Sequence, residues 1–93
     1  MAFDFDLSSL LRETLVKLAV KDRARAEIVN KKIKQIISCD DETINHFKNL
    51  RHDLSDYKRV HVDRSFVLLF KVFREKRFIL FERLEHHDKI YKT

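Results

Sequence analysis

Apolar and polar residues alternate at the start of the chain. Phe3, Phe5 and Leu7 are separated by Asp4 and Asp6, a period of two that predicts a short strand over Ala2 to Leu7. Ser8-Ser9 then offers an N-cap, because a serine hydroxyl oxygen can accept from the orphan N–H groups of a first helical turn. Beyond it the period lengthens. Leu11, Leu15 and Leu18 form one stripe, with Leu10 and Thr14 beside it. Asp22 can cap a second helix, whose apolar stripe is Ala26, Val29, Ile33, Ile36 and Ile37. Arg23, Arg25, Lys31, Lys32 and Lys34 fall mainly on its wet side, and Cys39-Asp40-Asp41 stops it. Ile44, Phe47 and Leu50 recur at three-residue spacing, consistent with one or two short helical turns.

After Leu54 the period returns to two. Val60 and Val62 point one way in Tyr57–Asp63, and Tyr57, Arg59 and His61 the other. Phe66–Phe73 is apolar on both faces, as a central strand is. Phe78–Leu84 is a third strand whose apolar run breaks at Glu82 and Arg83. The link Arg74-Glu75-Lys76-Arg77 has no ordinary turn residue, so the hairpin there rests on the strand pattern alone. A tail runs from Glu85 to Thr93. The order strand, helix, helix and three strands predicts an α+β fold: an antiparallel-rich sheet (β-α-α-β-β-β) with two helices packed on one face. The first strand must join an edge or pair in parallel. With Val60 and Val62 under the helices, Arg59 and His61 lie on the uncovered face.

A length of 93 residues suits one domain, 1–93. The chain contains no glycine and no proline. That excludes glycine-rich phosphate loops, dinucleotide fingerprints and nucleophile elbows, so no nucleotide cofactor is expected. One cysteine, Cys39, excludes an intrachain disulfide framework and a cysteine zinc cluster, and is expected to be filler at a helix end. No metal site is expected either, since His86-His87 are neighbours that point apart on an extended chain and lack an obvious third ligand. The longest unbroken apolar run, Phe66–Phe70, falls far short of the ~20 residues of a membrane span. Acids stand near the N-terminus where a signal peptide carries bases, so a cytoplasmic location is expected.

The net charge of +5 is uneven. Eight Lys/Arg and eight Asp/Glu lie up to Phe47, twelve and seven after it, so the whole surplus is in the second half. Four of the five histidines are there too. A basic half on a small protein points to an anionic partner, nucleic acid first, or to a solvated face with none. Tyr57, Arg59 and His61 on one strand, with Arg83, His86, His87 and Tyr91 from the end of the last strand and the tail, can share the open face. Imidazoles, guanidiniums and phenols suit RNA cleavage by the RNA's own 2′-OH. That reaction needs a base for the 2′ proton, cations for phosphorane charge and an acid for the 5′ oxygen. An aromatic ring such as that of Tyr91 can stack on a splayed base.

The stretch from Lys48 to Thr93 resembles the RelE/ParE toxin superfamily, and most of all its RelE- and YafQ-like mRNA endonucleases. The resemblance is carried by Leu50, Tyr57-Lys58-Arg59-Val60-His61-Val62, Phe66-Val67-Leu68-Leu69-Phe70-Lys71, Leu80-Phe81-Glu82-Arg83 and His87-Asp88-Lys89-Ile90-Tyr91. The helical half fits more loosely. The resemblance implies the fold argued above, a toxin neutralised by a cognate antitoxin, and metal-independent cleavage of mRNA on the ribosome. By position, His61 matches the strand histidine of the YafQ branch, His87 its C-terminal catalytic histidine, and Tyr91 the C-terminal aromatic. Arg83 lies near the family's basic site residues. Catalysis is thus expected of His61, Arg83, His87 and Tyr91, and RNA contacts of Lys48, Arg59, Arg64, His86 and Lys89. The chain departs from the YafQ pattern at Ser65, where that branch has an aspartate, and at Lys48, where it has a loop histidine. It departs from RelE at Val67, an arginine there. Other readings of the same fold are a non-catalytic RNA- or protein-binding module and a ParE-like gyrase inhibitor.

Overall fold

Two side-chain caps fix where the long helices begin. In the computed structural model, which describes residues 3–50 and 56–91 (Tyr91 by its backbone alone), the Ser8 hydroxyl oxygen accepts from the Leu11 N–H at 3.0 Å. That cap opens α1, Ser9–Lys21. The Asp22 carboxylate accepts from the Arg25 N–H at 3.1 Å and opens α2, Arg23–Ile37. Leu11, Ala26, Val29, Ile33 and Ile36 are buried, with Leu15, Leu18 and Ile37 packed against them, so both apolar stripes face inward as the periodicity predicts.

Four strands form one sheet: β1 (Asp4–Leu7), β2 (Lys58–His61), β3 (Phe66–Phe73) and β4 (Phe78–His86), in the order β1-β4-β3-β2. The last three make the expected antiparallel meander. β1 does both things open to it, lying at an edge and pairing in parallel with β4. The helices cover one face, where Val62, Leu68, Phe70, Ile79, Phe81 and Leu84 meet Leu11, Val29, Ile33 and Ile36. On the opposite face of β3, Val67 and Leu69 are also fully buried, in a second cluster with Leu50, Tyr57 and Ile90.

Three details differ from the expectation. The expected short helical turn is present as the 3-10 turn Thr43–His46, but it does not extend to Leu50. Ile44 and Phe47 pack on the helix side, whereas Leu50 belongs to the second cluster, so the chain passes round the sheet edge between them. Backbone hydrogen bonds from Leu50 to Tyr57 (2.9 Å) and from Arg59 to Lys48 (3.0 Å) hold that passage against β2. The last strand continues past Leu84 to His86, and the tail is a short helix, α3 (His87–Tyr91). Ile90 brings α3 back onto the second cluster.

The third detail sits inside β4. Phe70 pairs with Phe81 and Leu69 with Arg83, so Glu82 is an extra residue with no partner. This bulge reverses the alternation. Ile79 and Phe81 face the helices before it and Leu84 after it, which leaves Arg83 and Glu85 on the other side. Ser8 secures the bulge: its N–H donates to the Phe81 carbonyl at 2.9 Å and its hydroxyl to the Glu82 carbonyl. In the hairpin, Arg74–Lys76 make a 3-10 turn and Arg77 takes a left-handed conformation, φ 48°. Without a glycine to use, the chain holds this arginine by pairing it with Asp41 and laying it 4.6 Å above the Phe3 ring.

Ser8→Ala should cost roughly 1–3 kcal/mol, since it removes a cap and leaves the bulge carbonyl short of a donor. Ser9→Ala should stay within about 0.5 kcal/mol. Urea unfolding of the two variants beside the parent chain checks both.

Candidate functional site

The sheet register lays the chemistry-bearing side chains in rows across the open face. At one end the Lys71 ammonium lies 4.6 Å above the Tyr57 ring. Next, Arg59 and Arg83 stand on either side of Leu69. In the row after that, His61 and Glu85 flank Val67. Beyond the row, α3 begins at His87, whose N–H donates to the Ser65 carbonyl at 2.7 Å. That bond places the His87 ring 5.7 Å from the His61 ring, centroid to centroid, at an interplanar angle of 36°. His61 is exposed and the His87 side chain 42% exposed, so both imidazoles are open to a ligand. The floor beneath them is the fully buried Val67 and Leu69.

The arrangement offers two adjacent imidazoles beside two guanidiniums on an apolar base. One imidazole can take a proton while the other gives one, and the guanidiniums can meet charge on a phosphate.

Glu85 is a member of this face that the sequence reading missed. Its carboxylate stands 3.8 Å from the Arg83 guanidinium, both half-buried. The two-residue spacing of Arg83 and Glu85 is the signal for it, although the apolar run by itself ends at Leu84.

Other expected site residues are dispersed. His86, expected on the open face, stands instead opposite Phe66 in the register, its ring packed edge-on to that ring at 5.4 Å. Phe66 belongs to the helix-side core, so His86 is turned away from His61 and His87. The bulge is the cause, since it moves residue 86 to the face of residue 84. Arg64 is exposed in the turn between β2 and β3, and Lys89 is exposed on α3. Lys48 is exposed beside β2, its carbonyl bonded to the Arg59 N–H. The backbone of Tyr91 ends α3; its side chain lies outside the described residues, as does His52.

Asp63 is engaged in structure. Burial pushes its carboxyl up, but the Arg25 guanidinium at 2.7 Å and the backbone N–H groups of Ser65 and Phe66 at 2.7 and 3.0 Å outweigh that. The carboxyl is held below the usual carboxylate range. Arg25 also lies 4.4 Å above the Phe66 ring, so one guanidinium ties α2 to the β2–β3 turn. Burial, followed by the charge of Asp40, pushes the Cys39 thiol up, away from a reactive thiolate. Among the described residues no group of three or more His, Cys, Asp or Glu is placed to hold a metal ion. No helix among them is long and apolar enough to cross a membrane.

A four-stranded sheet with two helices on one face is also the fold of small bacterial toxins of known structure. YafQ of E. coli matches at a TM-score of 0.72 and 19% identity, over 96% of this chain and 98% of that one. The toxin–antitoxin complex RelBE2 of Mycobacterium tuberculosis matches at 0.71 and 18%, over 94% and 93%. At such identities the likeness shows the fold. No family model matches the sequence. A protein of Methanocaldococcus jannaschii named as a RelE toxin is 38% identical over 90 residues, 97% of this chain and 92% of the relative. The chain belongs to the RelE toxin family.

Asp63→Asn should destabilise the fold by about 1–3 kcal/mol at neutral pH through loss of charged hydrogen bonds. A carboxyl lowered by folding stabilises above its unfolded value, about 3.9, and that contribution fades as pH falls through the lower folded value. The gap between parent and variant should therefore close toward acid pH, which denaturant unfolding at a series of pH values would reveal.

Proposed function

We propose that the chain is the toxin of a toxin–antitoxin pair and cleaves mRNA on the ribosome by acid/base catalysis, with the RNA's own 2′-OH as nucleophile. The reading is carried by the His61–His87 pair, 5.7 Å apart. One imidazole of the pair removes the 2′-OH proton. The 2′ oxygen attacks phosphorus, the bond to the 5′ oxygen breaks, and the other imidazole protonates that leaving oxygen. The products are a 2′,3′-cyclic phosphate and a 5′-hydroxyl. His87 is the leading acid or base, with His61 as its partner. Arg59 and Arg83 neutralise the charge that builds on the phosphorane. Tyr91 is assigned to stacking or orienting a base, and Lys48, Arg64 and Lys89 to phosphate contacts at the rim.

Family membership supports the toxin role, and the RelBE2 complex supports a cognate antitoxin as the protein partner. The basic second half suits an RNA partner. The resemblance to ribosome-dependent nucleases supports mRNA in the ribosome as the substrate.

Cleavage of ribosome-bound mRNA by the purified chain tests the assignment. His87→Ala should slow it by roughly 10²–10⁴-fold, the usual contribution of one acid or base. The variant should change stability by no more than about 0.5 kcal/mol, because the bond from the backbone of residue 87 to Ser65 survives. The parent rate should be bell-shaped in pH, since the reaction needs one imidazole neutral and the other charged. An unchanged rate in His87→Ala would remove the catalytic assignment and leave a binding module.

A further inference from the structure

We propose that Glu85 is a positioning residue that holds the Arg83 guanidinium on the open face beside the imidazole pair. The kinetic consequence rests on the nuclease reading, while the positioning itself can be measured without turnover.

Three observations carry it. Arg83 Nη1 and Glu85 Oε1 are 3.8 Å apart, with the side chains 33% and 24% exposed. At that distance the contact is an ion pair and no hydrogen bond, so its strength depends on shielding from water. The setting supplies it, for Val67 and Leu69 beneath are fully buried and Leu50 and Ile90 pack against them. Second, Arg83 Nε is enclosed and has no acceptor among the described residues. A guanidinium free to choose turns its donors toward water or an acceptor, so an enclosed, unanswered N–H marks a side chain fixed from elsewhere. Glu85 is the ion-pair partner seen at its far end. Third, Arg59 shares the row of Arg83 across Leu69. Two strand spacings, roughly 10 Å, separate the backbones of these like charges. Their repulsion favours swinging Arg83 outward, and the Glu85 carboxylate opposes it.

Such a carboxylate has two opposed effects on an RNA phosphate. It repels the phosphate, which weakens binding. It also keeps a guanidinium aimed before the phosphate arrives, which assists the chemical step. Glu85 acts through Arg83, so its effect should vanish when Arg83 is absent.

The experiment has a structural arm and a kinetic one. The Arg83 Nε–H resonance of the whole chain is followed by NMR for exchange with water, near pH 6. In Glu85→Gln, exchange should quicken by about tenfold or more with the backbone spectrum preserved; Glu85→Asp, which keeps the charge, should retain most of the protection. Cleavage of ribosome-bound mRNA by Glu85→Gln should show kcat about tenfold lower with KM unchanged or lower. Added to Arg83→Ala, the same substitution should cost nothing further. Equal Nε–H protection in parent and Glu85→Gln would overturn the proposal. So would an undiminished kinetic effect in the Arg83→Ala background with loss of the acidic limb of the pH profile, for Glu85 would then be a base in its own right. A parent chain that cleaves no mRNA would defeat the nuclease reading alone, and the NMR arm would still decide the positioning.

Discussion

One unpaired residue in β4 determines which side chains the sheet offers to solvent. Strict alternation from Ile79 and Phe81 would turn residues 83 and 85 into the helix-side core, where charged groups carry a heavy desolvation cost. With Glu82 bulged out, Leu84 takes the core place while Arg83 stands opposite Leu69. A bulge leaves local backbone groups short of ladder partners. Ser8, at the entrance of α1, answers the Glu82 carbonyl with the same hydroxyl whose oxygen caps the helix. The start of the first helix and the composition of the open face are therefore fixed at one side chain.

The imidazole pair depends on a second set of restraints at the far end of the same face. His61 ends β2, and His87 opens α3 after a turn of chain secured by Ser65. The β2–β3 turn that carries Ser65 is held in place by Asp63, whose carboxylate gathers two backbone donors and the Arg25 guanidinium. Arg25 belongs to α2, on the opposite side of the sheet. The spacing of the two rings thus rests on a polar connection that runs round the sheet edge from the helical layer.

Much of this was legible in the chain because it follows from period and capping. The stripes of α1 and α2, the caps at Ser8 and Asp22, and the burial of β3 on both faces are local consequences of residue type at fixed spacing. The meeting of Arg59, Arg83, His61 and His87 follows from the meander once the faces are known. What the pattern did not disclose is register. A bulge needs a single extra residue, and the break at Glu82-Arg83 reads equally well as the approach of a strand end. Hence the pattern alone ends β4 at Leu84, two residues early, which leaves Glu85 in the tail and sets His86 on the open face. Leu50 departs from the expectation for another reason: three-residue spacing continues in sequence although the chain has already turned round the sheet edge.

The apolar floor under the cationic residues has a consequence for their field. Val67 and Leu69 are closed to water, and Leu50 and Ile90 pack against them. Charges resting on such a poorly polarisable layer are screened from one side only. The lines of force from Arg59 and Arg83 are driven outward, away from the sheet. The potential above β3 therefore starts higher than it would with water on both sides, and it decays outward over a Debye length of about 8 Å at physiological salt. The pull on an approaching polyanion is thus aimed along the normal of the sheet that carries the two imidazoles, strongest over Arg59 and reduced over Arg83 by the Glu85 carboxylate.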